Sequence, residues 1–180
     1  MSNQPNMLEA ARRYVEDGFS VIPICWPTPD GRCGCGGGHT GKQIGKAPLI
    51  KSWRKMAARE AQRVNELWGE RPNANIGILT DGLVVLDIDK DNGGFDSKAT
   101  IEERYGPLLR TRKHRTGGGG EQWIYSNPDG TEIKNAVKLG GYDGIDLRAN
   151  GGQIVAPPSL HRSGNRYKVL DDAEIAPVPD

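Results

Sequence analysis

Apolar and polar positions follow two rhythms along the chain. From Met7 to Val15, the residues Leu8, Ala11, Tyr14 and Val15 recur at helical spacing and Asp17-Gly18 ends the pattern, which predicts a first helix. Phe19–Ile24 is a short apolar run that predicts a strand, and a Gly/Cys/Pro loop follows over residues 25–48. A second helix is predicted from about 55 to 68, with Ala58, Ala61, Val64, Leu67 and Trp68 on one face. Asn75–Leu79 and Leu83–Ile88, separated by Thr80-Asp-Gly82, predict a β-hairpin. Further along, residues 98–109 predict a helix, and strands are expected at 121–125, 132–137, 144–148 paired with 153–156, and 167–170. Strands outnumber helices and short turns join most of them, so the expected class is α+β with mainly antiparallel pairing. No internal repeat is present.

Composition narrows the field. The 180 residues suit one domain of ordinary size, and a formal net charge of +1 with 26% charged residues sets up no global positive field for nucleic acid. Any such binding has to come from local clusters. No apolar run is long enough to span a membrane and the N-terminus lacks the apolar stretch of a signal peptide, so the expectation is a cytoplasmic protein with no membrane partner. Twenty-five glycines concentrate at 34–45, 117–120, 140–144 and 151–152, which points to backbone-lined turns. The tail, 173–180, has the acids and prolines of a linker, with 1–172 as the domain and the whole as the N-terminal part of a longer protein.

Four constellations carry chemistry. In LVVLDIDKD, Asp87 and Asp89 lie one residue apart, so in a strand both carboxylates project from one face. Such like charges repel unless a cation bridges them, and Asp146, in the short apolar run Gly144-Ile-Asp-Leu, could complete an oxygen site for Mg²⁺ or Mn²⁺. The bland alternative is two acids ending a strand at the surface. Arg110-Thr-Arg-Lys-His-Arg115 leads into Gly117–Gly120, where basic side chains and glycine amides could hold phosphate, or form only a solvated hairpin tip. Pro157-Pro-Ser-Leu-His-Arg-Ser163 crowds donors into one turn. Cys25, Cys33, Cys35 and His39 match a closed Cys₃His zinc site, structural because no ligand position stays open. With no export signal, metal or free thiols are expected in preference to a disulfide framework.

Taken in order, these stretches resemble the prim-pol domain of the archaeo-eukaryotic primase superfamily, the bifunctional primase/polymerase module of plasmid and phage replication proteins. The resemblance spans roughly Ala10 to Leu170. It rests on Phe19–Pro23 with the cysteine loop and Gly45-Lys-Ala-Pro-Leu49, on Asn75-Ile-Gly-Ile, on Leu83–Asp89, on Thr116–Tyr125, on Gly144–Arg148, and on Ala156-Pro-Pro-Ser-x-His-x-Ser-Gly164 with Tyr167. It implies a primase-polymerase core with a mainly antiparallel or mixed sheet, an RRM-like catalytic unit, flanking helices and a zinc-stapled loop at 25–39. It also implies template-directed synthesis and extension of primers from NTP or dNTP on single-stranded DNA by two-metal nucleotidyl transfer, with a helicase domain following in the full-length protein.

On this resemblance Asp87, Asp89 and Asp146 are the catalytic ligands of Mg²⁺ or Mn²⁺. Gln122, Arg115, Ser159, His161, Arg148 and Lys46 bind nucleotide, and the Arg110–Lys113 run, with Arg148 and Lys46, is turned to template or primer. The reading requires Asp146 within about 10 Å of Asp87 and Asp89, the reach of a shared ion pair. Two departures stand out. Gln122 occupies the place of the usual histidine of a Gly-Gly-x-His pattern, and a glutamine donates neutral hydrogen bonds only. His39 stands where a further cysteine is common. The first departure leaves a catalytically weak nucleotide or single-stranded-DNA binding module as the alternative, and a two-metal phosphohydrolase or nuclease as a third reading.

Overall fold

The computed structural model describes residues 4–179, and among them the chain forms four α-helices and eight strands, mixed α+β with antiparallel sheets. It divides into two compact units, one built from residues up to Leu79 with Ile154–Tyr167, the other from Thr80–Gln153 with the segment from Lys168 onward.

The first unit centres on a three-stranded sheet in the order β1 (Val21–Ile24), β2 (Asn75–Leu79), β7 (Gln153–Ala156). Helix α1 (Met7–Glu16) starts where the Asn6 side chain accepts from the Glu9 backbone N–H, and it stops at Asp17 with Gly18 at φ +88°. It packs with α3 (Ala61–Gly69) against the sheet through the buried Met7, Ala11, Val64, Leu67 and Trp68. Alternation along β1 and β2 puts Ile22, Ile24 and Leu79 on the opposite face, in a cluster with Ala57, Val155 and Tyr167.

The expected helix over 55–68 is in fact two, α2 (Trp53–Met56) and α3, because Ala58 exchanges both backbone hydrogen bonds with Val21, at 2.8 and 2.9 Å. A strand-like residue there cannot also be helical.

The second unit is a five-stranded sheet in the order β6 (Ile145–Arg148), β3 (Leu83–Ile88), β5 (Glu121–Ser126), β4 (Arg112–Arg115), β8 (Lys168–Asp171), with every recorded pairing antiparallel. One face carries Val84, Ile88, Trp123, Tyr125 and Ile145, covered by α4 (Gly94–Tyr105) through Phe95 and Ile101.

Several expectations are corrected here. β2 and β3 belong to different sheets, so Thr80–Gly82 is a connection and not a hairpin tip. β6 and β7 likewise do not pair, and 132–137 forms no strand beyond the single Ala136–Leu147 bridge. Helix α4 starts earlier than expected and ends before Gly106-Pro107, where proline disfavours helix. The tail that composition reads as a linker is docked. Ser126 N–H donates to Ala176, Val178 N–H donates to Ser126, and both apolar side chains join the second unit's core.

Candidate active site

Strand register builds one polar row across the second sheet. Asp146 on β6 stands opposite Asp87 on β3, Asp87 opposite Gln122 on β5, and Gln122 opposite His114 on β4. Directly opposed residues point to one face with Cβ atoms about 5 Å apart, so Asp146 and Asp87 meet the spacing a shared ion needs. Asp89 follows two positions after Asp87 at the end of β3, on the exposed margin.

Two close approaches fix that end of the sheet. Gly144, at φ +68°, lies so near Gly94 that a Cβ would sit 2.5 Å from the Gly94 nitrogen, while Asp89 N–H donates to Gly144 carbonyl at 2.8 Å. Gly120 packs on the Ile88 carbonyl with no room for a side chain. The glycine run is thus the β4–β5 connection. Its Gly119 amide donates to the Thr116 carbonyl and its Gly120 amide to Thr116 Oγ1, so these two amides serve the hairpin and not a phosphate. Lys90, unremarkable in sequence, runs beside Gly119, a Cβ on which would lie 3.2 Å from its Cδ.

The carboxylates have local partners. Asp146 Oδ1 accepts from the Lys138 backbone N–H at 3.1 Å and Oδ2 from Arg148 at 2.8 Å. Asp89 accepts from the Asp91 N–H at 3.0 Å and from the Asn92 amide at 2.6 Å. A carboxylate has about four lone-pair positions, so these bonds leave capacity for a cation. Hard oxygen donors on neighbouring strands are of the kind a hard divalent cation takes, but Asp87, Asp89 and Asp146 do not gather their oxygens into one group of ligand atoms.

The basic run is largely neutralised. Arg110 makes a two-pronged pair with Asp171, both bonds at 3.0 Å; Arg112 meets Asp172 at 2.9 Å; and Lys113 lies over the Trp123 ring at 4.5 Å. Arg115 remains exposed, 3.9 Å from Glu121.

The first unit gathers the remaining expected contacts. Asn75, 1% exposed, donates to the Gly45 carbonyl at 3.2 Å and to the Leu160 carbonyl at 2.8 Å, and accepts from Leu160 N–H at 2.8 Å. That one side chain ties the loop carrying Lys46 to the turn carrying His161. His161 Nδ1 pairs with Ser163 Oγ at 2.9 Å and its ring meets Tyr167 edge-on. Ser159 is buried, and its hydroxyl accepts from Ile76 N–H at 2.9 Å and reaches the Ile76 carbonyl at 3.5 Å, so it braces β2.

Cys25, Cys33, Cys35 and His39 place their ligand atoms within 4.8 Å of one another, the only such group of three or more among the described residues. Cys33 and Cys35 sulfurs lie 3.2 and 3.3 Å from His39 Nδ1. Cys25 and Cys33 are paired as a disulfide and Cys35 is free, where metal or free thiols were expected in preference to a disulfide framework. The same donor set, with those two thiols reduced, could hold a metal ion such as zinc.

Sequence comparison adds the deciding observation: the family model described as bifunctional DNA primase/polymerase, N-terminal, matches residues 11–180. The chain belongs to the Prim-Pol family. Among curated proteins none matches it. Prim-Pol membership points to DNA primase/polymerase function in general, a nucleotidyltransferase-type enzyme that binds DNA and nucleotides. No helix among the described residues is long and apolar enough to cross a membrane.

Two residues of the sites play parts that sequence reading does not give them. His114, grouped with its basic neighbours as countercharge for phosphate, is buried in β4, and Asn75 looks like the polar start of an apolar strand. A lone amide ahead of Ile-Gly-Ile was the one available signal.

Proposed function

We propose that this Prim-Pol domain synthesises and extends primers on single-stranded DNA by template-directed nucleotidyl transfer from NTP or dNTP. The cross-strand pairing of Asp87 with Asp146, at the end of β3 that also carries Asp89, supports this reading most directly. In it, the primer 3′-oxygen forms a bond to the α-phosphorus, the bond from that phosphorus to the pyrophosphate oxygen breaks, and the hydroxyl proton passes to solvent. Asp87, Asp89 and Asp146 hold Mg²⁺ or Mn²⁺, which when bound polarises the α-phosphate and acidifies the attacking hydroxyl. Gln122 offers a neutral hydrogen bond to phosphate, with Arg115 and Arg148 as countercharge. Cys25, Cys33, Cys35 and His39, with the Cys25–Cys33 pair reduced, would hold a structural Zn²⁺ that orders the 25–48 loop, whose length needs such bracing. A plasmid or phage replication setting, with a helicase domain after this one, belongs to the same proposal.

Gln122 favours a second reading, a module that binds nucleotide or single-stranded DNA with little chemistry, since a carboxamide cannot carry an imidazolium's charge.

Incubation with a single-stranded template, labelled nucleotides and Mn²⁺ tests both. Labelled oligomers are expected; tight binding without product supports the second reading, and a shortened template supports neither and indicates a nuclease. Gln122→His is expected to speed incorporation, and an unchanged or slower rate removes Gln122 from the phosphate. For zinc, elemental analysis is expected to find close to one equivalent per chain, and less than about half counts against the site.

A further inference from the structure

Two polar atoms lie buried and unpartnered at adjoining positions of the second sheet, Nδ1 of His114 and Oε1 of Gln122. The residues are 1% and 3% exposed and are direct register partners, with Gln122 next to Asp87 in the same row. An unpaired buried polar atom is costly to leave in a fold. Neighbouring positions on the same face are filled by Val85 and Ile124, both fully buried, so an apolar pair would suit this place if packing were its only purpose.

A carboxamide is ambiguous in a way an imidazole is not. Half a turn about its last bond exchanges a carbonyl oxygen for an NH₂ group. Beside Asp87 only one orientation is useful, because a phosphate and a carboxylate both accept hydrogen bonds and neither donates. Something must set which end faces β3, and the only polar side chain opposite Gln122 on its other side is His114.

We propose that His114 is a positioning residue for Gln122: its Nδ1–H donates to Gln122 Oε1, which turns the amide NH₂ toward Asp87 and the nucleotide phosphates. One hydrogen bond thereby satisfies both unpartnered atoms. Burial pushes the His114 pKa down to about 4, with the Arg112 charge acting the same way and Gln122 and Asp172 opposing, so the ring is neutral and carries a single N–H near pH 7. A neutral ring can sit on Nδ1–H and act as a fixed donor.

The consequence for synthesis rests on the primase/polymerase reading; the hydrogen bond does not. The test uses the full chain and three variants chosen for where they keep a donor. His114→Asn places an amide where Nδ1 stands, His114→Gln places it where Nε2 stands, and His114→Leu has none. The expected result is a KM for nucleotide raised roughly tenfold in His114→Leu and His114→Gln, restored to within about twofold in His114→Asn, with kcat little changed. Equal KM in all four proteins, or equal loss in His114→Asn and His114→Leu, overturns the proposal. Independently of activity, ¹⁵N NMR of the imidazole should show the Nδ1–H tautomer, and Gln122→Leu should shift that signal; an Nε2–H tautomer overturns it. If no protein, wild type included, makes product, the primase reading fails and the tautomer alone decides whether His114 holds Gln122.

Discussion

Asp87 and Asp146 are far apart in sequence and stand opposite each other across β3 and β6, whereas Arg110, Arg112, Lys113 and Arg115 are nearly consecutive and are dispersed. The reason is the two-residue repeat of a strand. Along β4, Arg112 and His114 face one way while Lys113 and Arg115 face Trp123 and Glu121 on the other. Acids of the same unit then quench most of the run, with Asp171 on Arg110 and Asp172 on Arg112. A charge run in sequence therefore became a scaffold of ion pairs, while two distant aspartates came to stand opposite each other. Hydrogen-bonded register brings together what adjacency does not.

The contrast is broken most severely at Asp87. Asp87→Ala should reduce primer synthesis by roughly 10³-fold or more, the equivalent of several kcal/mol of transition-state stabilisation. The fold should survive, because the cost of two like charges opposed across a pair is relieved. Asp87→Asn should raise metal-free stability by about 0.5 kcal/mol. Denaturant melts read beside a primer-extension assay check both. Product that persists in Asp87→Ala removes the aspartate row from the mechanism.

His114 sharpens the comparison from the other end of the row. Its pKa is about 4 when folded, because of burial first and the Arg112 charge second, against an ordinary 6.5. Between those values the unfolded chain holds the extra proton, so stability falls as pH falls. The contribution is complete above 6.5 and lost through 4, and the span corresponds to about 3 kcal/mol. His114→Leu should flatten this acid limb in urea midpoints measured from pH 7 to 4. Identical limbs in the two proteins would show that the ring is not buried in neutral form.

What was readable in the sequence was whatever is decided locally. Helix α1 carries its own stop, in Asp17-Gly18, and the four Cys and His residues lie within one loop. Asp87 and Asp89 were paired by spacing alone. The partners of strands were not readable, since Thr80–Gly82 looks the same whether it reverses a hairpin or links two sheets, and long-range register decides. β4 was missed because its one buried position, His114, is polar and its others charged, which erases the hydrophobic alternation of a strand. The brace that Ser159 makes was hidden for a related reason: a hydroxyl in a polar turn gives no sign that a distant backbone, here Ile76, requires it.

The smallest effect is expected at Arg110, and it separates a scaffold from a patch. Its guanidinium is held by both oxygens of Asp171, and that hydrogen bonding holds the Asp171 carboxyl below its ordinary range while raising the arginine's own pKa. Asp171 also accepts from the Ala173 N–H, so the pair is anchored at the edge of the sheet. An arginine engaged in this way brings little net charge to a passing phosphate. Loss of one true phosphate contact lowers the slope of log affinity against log salt by about 0.7 for a single strand. Arg110→Gln should leave that slope for single-stranded DNA nearly unchanged and alter synthesis by less than about twofold. A slope lowered by the full amount would mean that DNA displaces Asp171, and that the run on β4 acts as a patch after all.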